Sequence, residues 1–183
     1  GSLSSSDGGD GYAVIDFYVA AKEAGSKPIG GCEVYVAETD CHSREPAHKT
    51  PYHLTLRAKN ERGYHNLLQL VTKSHLEGFY YKPRVDKEFL KLHHDGLIAL
   101  TGCAHGELAR LMLEGRNDVL AGAALWSMAV FGDYYLGIQR HPIPALEHIN
   151  QELIARSTNL TIPPVGTSEV HYVETRAEPT TDH

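Results

Sequence analysis

No stretch of the 183 residues is long and apolar enough to cross a bilayer. The longest runs, LIAL at 97–100 and AGAALW at 121–126, fall far short of the ~20 residues a span needs. Cysteine is scarce: Cys32, Cys41 and Cys103 make an odd number with no CxxC spacing, which argues against a secreted disulfide framework and fits a reducing cytoplasm. Basic charge is also short. Seventeen Lys and Arg face 23 Asp and Glu, for a formal net charge of −6, so the segment is not the main grip on a nucleic-acid backbone, a task that Lys and Arg dominate. The opening GSLSSSDGGDG lacks the charged and apolar regions of a signal peptide, and residues 1–11 read as a flexible leader. There is no internal repeat, and no Gly-rich phosphate fingerprint follows the first apparent strand, which weakens a dinucleotide-binding reading.

What remains is ordinary for a folded domain: 42% hydrophobic and 22% charged residues, enough for one α/β domain over 12–183. From Tyr12 to Ala24 the apolar residues recur at helical spacing, with Gly25 as a cap. PIGGCEVYVA then reads as a buried strand, and ETDCHSREPAHKTP at 38–51 as a polar excursion loop. HLTLRA at 53–58 is a second strand. Asn60 caps a helix with a Tyr64, Leu67, Leu68 and Val71 stripe, and Asp86 caps a shorter one. Further strands are predicted at 97–102, 134–139 and 163–168, with helices between them. Strands separated by helical patterns imply parallel pairing through βαβ crossovers, and a (β/α) barrel, or an arc cut from one, is the preferred fold.

Metal-competent side chains recur where these strands end. Glu33 lies in GCEVYV, Cys103 follows LIALTG, His141 follows YYLGIQ, and Glu169 and His171 follow PPVGTS. In barrels the functional groups collect at the C-terminal mouth, where strand ends converge. His53 breaks the rule, because it stands at the start of its strand. Carboxylate, imidazole and thiolate together suit zinc or manganese, and such ions activate water and clamp a phosphate oxygen. The bland alternatives are a core role for Cys32, a buried hydrophobic role for Cys103, and surface positions for His42, His48, His65, His75, His93, His94 and His148.

KPIGGCEVYVA, PYHLTLRAKNERGYHNLLQLVTKSHLEGFYYKPRVDKEFL, GLIALTGCAHGEL and PPVGTSEVHYV resemble, in order and separation, successive blocks of the PHP domain of bacterial DNA polymerase III alpha subunits. The resemblance runs from about Asp7 to the C-terminus. It implies a PHP-type distorted (β/α) barrel with a three-metal centre, associated in some members with 3′–5′ exonuclease activity and degenerate in others. Glu33, His53, Cys103 and His171 match family metal ligands in identity, and Glu169 stands where the family has Asp.

The same resemblance implies an incomplete barrel and an incomplete centre. The family's first strands, with their HxH motif, have no counterpart here, a segment on the order of 40 residues. Gly8 stands where a TDHG motif supplies a histidine, and Arg140 where QDHG supplies an acid. The expectation is therefore a cytoplasmic PHP-domain fragment of a replicative polymerase. It would serve mainly as a structural module, its partners being the rest of the alpha chain and, through it, DNA. The alternative is a metal-dependent phosphoesterase or 3′–5′ exonuclease using zinc or manganese.

Overall fold

Alternation along the strands decides which residues face the helices. In β2 (Lys27–Val36) Cys32, Val34 and Val36 are buried, and in β3 (Tyr52–Ala58) Tyr52, Leu54 and Leu56. Ladder pairing places Cys32 beside Leu56, Leu56 beside Ala99 of β5 (Leu97–Thr101), and Ala99 beside Tyr134 of β6 (Tyr134–Gln139). This row of buried residues across the sheet forms one wall of the core, since paired residues project from the same face. The next row, Glu33, Thr55, Leu100 and Tyr135, occupies the opposite face. The computed structural model from which this is read describes residues 2–8, 14–46, 50–102, 104–139 and 144–167.

The helices cover the first face. α2 (Glu61–Leu76) begins at Asn60, whose backbone is extended and whose side-chain oxygen accepts the Gly63 N–H at 3.0 Å. This cap satisfies one of the helix's orphan donors. Its buried side is Gly63, Leu67, Leu70 and Ser74; Leu68 is exposed and Tyr64 and Val71 are half-buried, so the stripe is rotated from the predicted one. Gly63 has to be glycine, because a Cβ there would collide with the Gly96 carbonyl. α3 (Lys87–Leu92), α4 (Glu107–Leu113), α5 (Asn117–Phe131) and α6 (Pro144–Leu160) follow, and Leu90, Leu108, Leu111, Leu120, Ala124 and Leu153 carry their side of the core.

Two sequence expectations change. Ser2–Gly8, inside the predicted leader, is strand β1, paired in parallel with β2 from Ser2–Lys27 to Gly8–Glu33, and α1 (Val14–Glu23) crosses between the two. A backbone ladder needs no apolar pattern, so a serine-rich strand leaves little periodic signal. The sheet is also mixed rather than all parallel: β3 runs antiparallel to both β2 and β5. The physical reason is the 37–51 connection, whose described residues contain no α-helix. A parallel return needs a crossover of a dozen or more residues, usually helical, whereas a chain that turns back directly pairs antiparallel. With β7 (Pro164–Thr167) beside β6 the order is β1-β2-β3-β5-β6-β7, and the short β4 (Arg84–Val85) extends the β1 side of β2 at Tyr35 and Val36. The result is an open α/β sheet whose outer strands, β1 and β7, do not pair with each other among the described residues.

Arg84 ties the long loop to this frame. Its side chain is fully buried, donates from Nε to the Gly78 carbonyl at 3.2 Å, and donates from Nη2 to the carbonyls of Cys41 and Ser43 at 2.9 and 2.7 Å. Arg84→Met keeps the stem and removes the donors, leaving carbonyls unsatisfied in the interior. Urea unfolding of this variant is expected to show a loss of about 2–4 kcal/mol.

Candidate metal centre

The reversal of β3 settles the anomaly of His53. The end of β2, the start of β3, and the ends of β1, β5, β6 and β7 all lie at one rim of the sheet. His53 pairs with Tyr35 and Glu33 with Thr55, so Glu33 and His53 sit two positions apart on the same face. Their side chains meet: His53 Nδ1 is 3.1 Å from Glu33 Oε1, and both are about one-fifth exposed. The Tyr35 ring meets the imidazole edge-on at 5.0 Å.

The His53 backbone is wedged. Its N–H donates to the His105 carbonyl at 3.1 Å, it bridges to Gly106 just before α4, and the His105 ring stands 5.2 Å away. A Cβ at Gly102 would strike the His53 carbonyl, and one at Gly106 would crowd the Gly102 backbone. Behind His53 is a cavity of about 20 Å³, lined in part by Thr101, Gly102, Lys87, Glu107 and Trp126. Lys87 Nζ binds Glu107 Oε1 at 2.6 Å and lies 5.0 Å from the Trp126 ring centre.

Glu33 and His53 are thus together at the rim. Cys103, Glu169 and His171 lie outside the described residues, as do Arg140 and His141. Gly8 ends β1 as the register partner of Glu33. A neighbouring carboxylate and imidazole offer two ligand atoms, or one ligand oriented by the other.

A second group went unrecognised in the sequence. One ligand atom from each of Asp40, Cys41, His42 and Asp86 lies within 4.8 Å of every other. Cys41 is fully buried; burial, then its hydrogen bond to the Asp86 carboxylate, pushes the thiol up to about 12. Burial also pushes Asp86 upward, but hydrogen bonds from the Cys41 thiol and the N–H groups of Phe89 and Cys41 outweigh it and hold the carboxyl below its usual range. Asp86 also caps α3. His42 Nδ1 is 2.8 Å from Asp40 Oδ1, and Nε2 is 3.4 Å from Glu77 Oε2. Asp40 and then Glu77 raise the imidazole's pKa. The available signal was the Asp-Cys-His run at 40–42; the fourth member is far along the chain.

Residues 2–141 match the family model described as PHP domain. The chain is 43% identical over 170 residues to a DNA polymerase III subunit alpha of Borreliella burgdorferi, an alignment covering 91% of this chain and 15% of that one. It is 37% identical to the subunits of that name from Deinococcus radiodurans and Thermus aquaticus, covering 94% of this chain in each case and 13% and 14% of the relatives. The chain therefore spans only 13–15% of the length of these relatives.

Gly102→Ala is expected to lower stability by about 1–3 kcal/mol in urea unfolding, because the added methyl has no room, and to shift the His53 ring signals by NMR. In chelator-treated protein the His42 ring is expected to titrate above the ordinary ~6.5, and Asp40→Asn to bring it down. The sign is that of a raised base. The attachment favours the folded chain below the unfolded value and fades as pH rises through the folded one, which histidine NMR at stepped pH follows.

Proposed function

The chain belongs to the PHP domain family, and from that premise we propose that it is a PHP-domain module of a bacterial replicative DNA polymerase, serving DNA replication mainly as a scaffold. Support comes from relatives named DNA polymerase III subunit alpha, 33–43% identical over more than nine-tenths of the chain. On this reading its partners are the rest of an alpha chain and, through it, DNA. Among the described residues no helix is long and apolar enough to cross a membrane, and a cytoplasmic setting is part of the proposal.

The observation that carries the scaffold reading is at the rim. Gly8 is the ladder neighbour of Glu33, and a glycine offers no ligand atom beside that carboxylate. A metal centre there would draw on Glu33, His53, Cys103, Glu169 and His171. Carboxylate, imidazole and thiolate donors fit zinc, and fit manganese where the thiolate stands aside. A bound ion would supply an activated water and a clamp on a phosphate oxygen. The chain's own part is to hold the imidazole: Glu33, accepting from Nδ1–H, fixes the tautomer and orientation of the ring.

The second reading, a phosphoesterase or 3′–5′ exonuclease of the PHP family, is favoured by the 3.1 Å approach of Glu33 and His53. Incubation of the chain with manganese and 3′-labelled single-stranded DNA separates the two. The scaffold reading expects no nucleotide release above buffer, and Gly8→His to raise manganese affinity by about tenfold or more. Release that disappears with His53→Ala would establish the enzyme instead.

A further inference from the structure

We propose that Asp40, Cys41, His42 and Asp86 form a structural zinc site, separate from the Glu33 and His53 pair, that clasps the β2–β3 connection onto the start of α3. The donor set is one thiol sulfur, one imidazole nitrogen and two carboxylates, with the four ligand atoms within 4.8 Å of one another. Around a tetrahedral zinc with bonds of ~2.0–2.3 Å, neighbouring ligand atoms stand roughly 3.5 Å apart. Cys41 Sγ and His42 Nδ1 are already 3.7 Å apart, and a contraction of about one ångström brings in the most distant pair.

A second feature points to a metal rather than to a helix cap alone. Metal-binding histidines characteristically donate their other ring N–H to a carboxylate, which fixes the tautomer and orients the ligand nitrogen. His42 has this arrangement: Nδ1 faces Asp40 and Cys41, and Nε2 faces Glu77 Oε2 at 3.4 Å. Glu77 is anchored in turn by Lys73 Nζ at 2.8 Å. The capping role of Asp86 accounts for the hydrogen bond to Phe89 and for nothing at His42 or Glu77.

The loop is held in place independently of any ion. Arg84 grips the carbonyls of Cys41 and Ser43, so little ordering remains when an ion enters. Binding replaces the Cys41 thiol proton, which leaves to solvent. The two carboxylates and the thiolate then exceed the ion's charge by one unit, and Arg84 and Lys73 lie close enough to offset the excess. The thiolate selects zinc over manganese or calcium. Four protein ligands leave no open position, which makes the site structural rather than catalytic.

The test uses the whole chain, stripped with chelator and titrated with cobalt and zinc in a Cys103→Ser background that removes a competing thiol. Cobalt is expected to give a near-ultraviolet thiolate-to-metal band that Cys41→Ser abolishes. Zinc affinity, read by competition with a chromophoric chelator, is expected to fall by about 100-fold in His42→Ala and by about tenfold in Glu77→Gln. Zinc should also slow proteolysis within 37–46. If circular dichroism shows Cys41→Ser unfolded, the exposed His42→Ala decides. A band that survives in folded Cys41→Ser, or zinc affinity unchanged in His42→Ala, overturns the proposal.

Discussion

The reversed course of β3 is the constraint on which the site depends. Because this strand runs against both neighbours, its first residues share a rim with the last residues of β2 and β5. Its alternation does two things at once: Leu54 and Leu56 enter the core, while His53 stays on the face of Glu33. A one-residue slip in register would send His53 toward the helices and expose the leucines. The buried row from Cys32 through Leu56 and Ala99 to Tyr134 therefore fixes the position of a histidine that does not belong to it.

Backbone contacts do as much as side-chain packing in shaping this rim. Gly102 and Gly106 stack against each other and against His53, Arg84 holds the loop by its carbonyls, and Asp86 both caps α3 and reaches Cys41. The end of β2 is thus flanked by the Glu33 and His53 pair and by the Asp40 to Asp86 group.

Much of this was legible in the sequence, for identifiable reasons. The strands rich in valine, isoleucine and leucine, and the helices opened by Asn60 and Asp86, announced themselves because burial and capping demand particular residues. β1 did not, since Ser2–Gly8 is joined to β2 by main-chain bonds that any residue can make, and the two-residue β4 is too short to show a period. The direction of β3 is implicit only in the combination of two facts: no helical pattern in 38–51, and a histidine at the wrong end of its strand. Glu33 and His53 were both named from sequence, and the structure brings them together. Asp40, Cys41 and His42 were passed over because proximity to Asp86 is a property of the fold.

The glycine contacts behind His53 bear on how this rim can diverge. Residues 102 and 106 leave no space for a side chain, so drift at those two positions is suppressed by sterics alone, whatever the chemistry nearby. That constraint is one of shape and does not dictate which reactive groups the rim carries. Lineages can thus exchange its reactive groups, or lose them, while the contour of the surrounding surface stays the same, and a catalytic ancestor and an inert descendant would be hard to tell apart by shape.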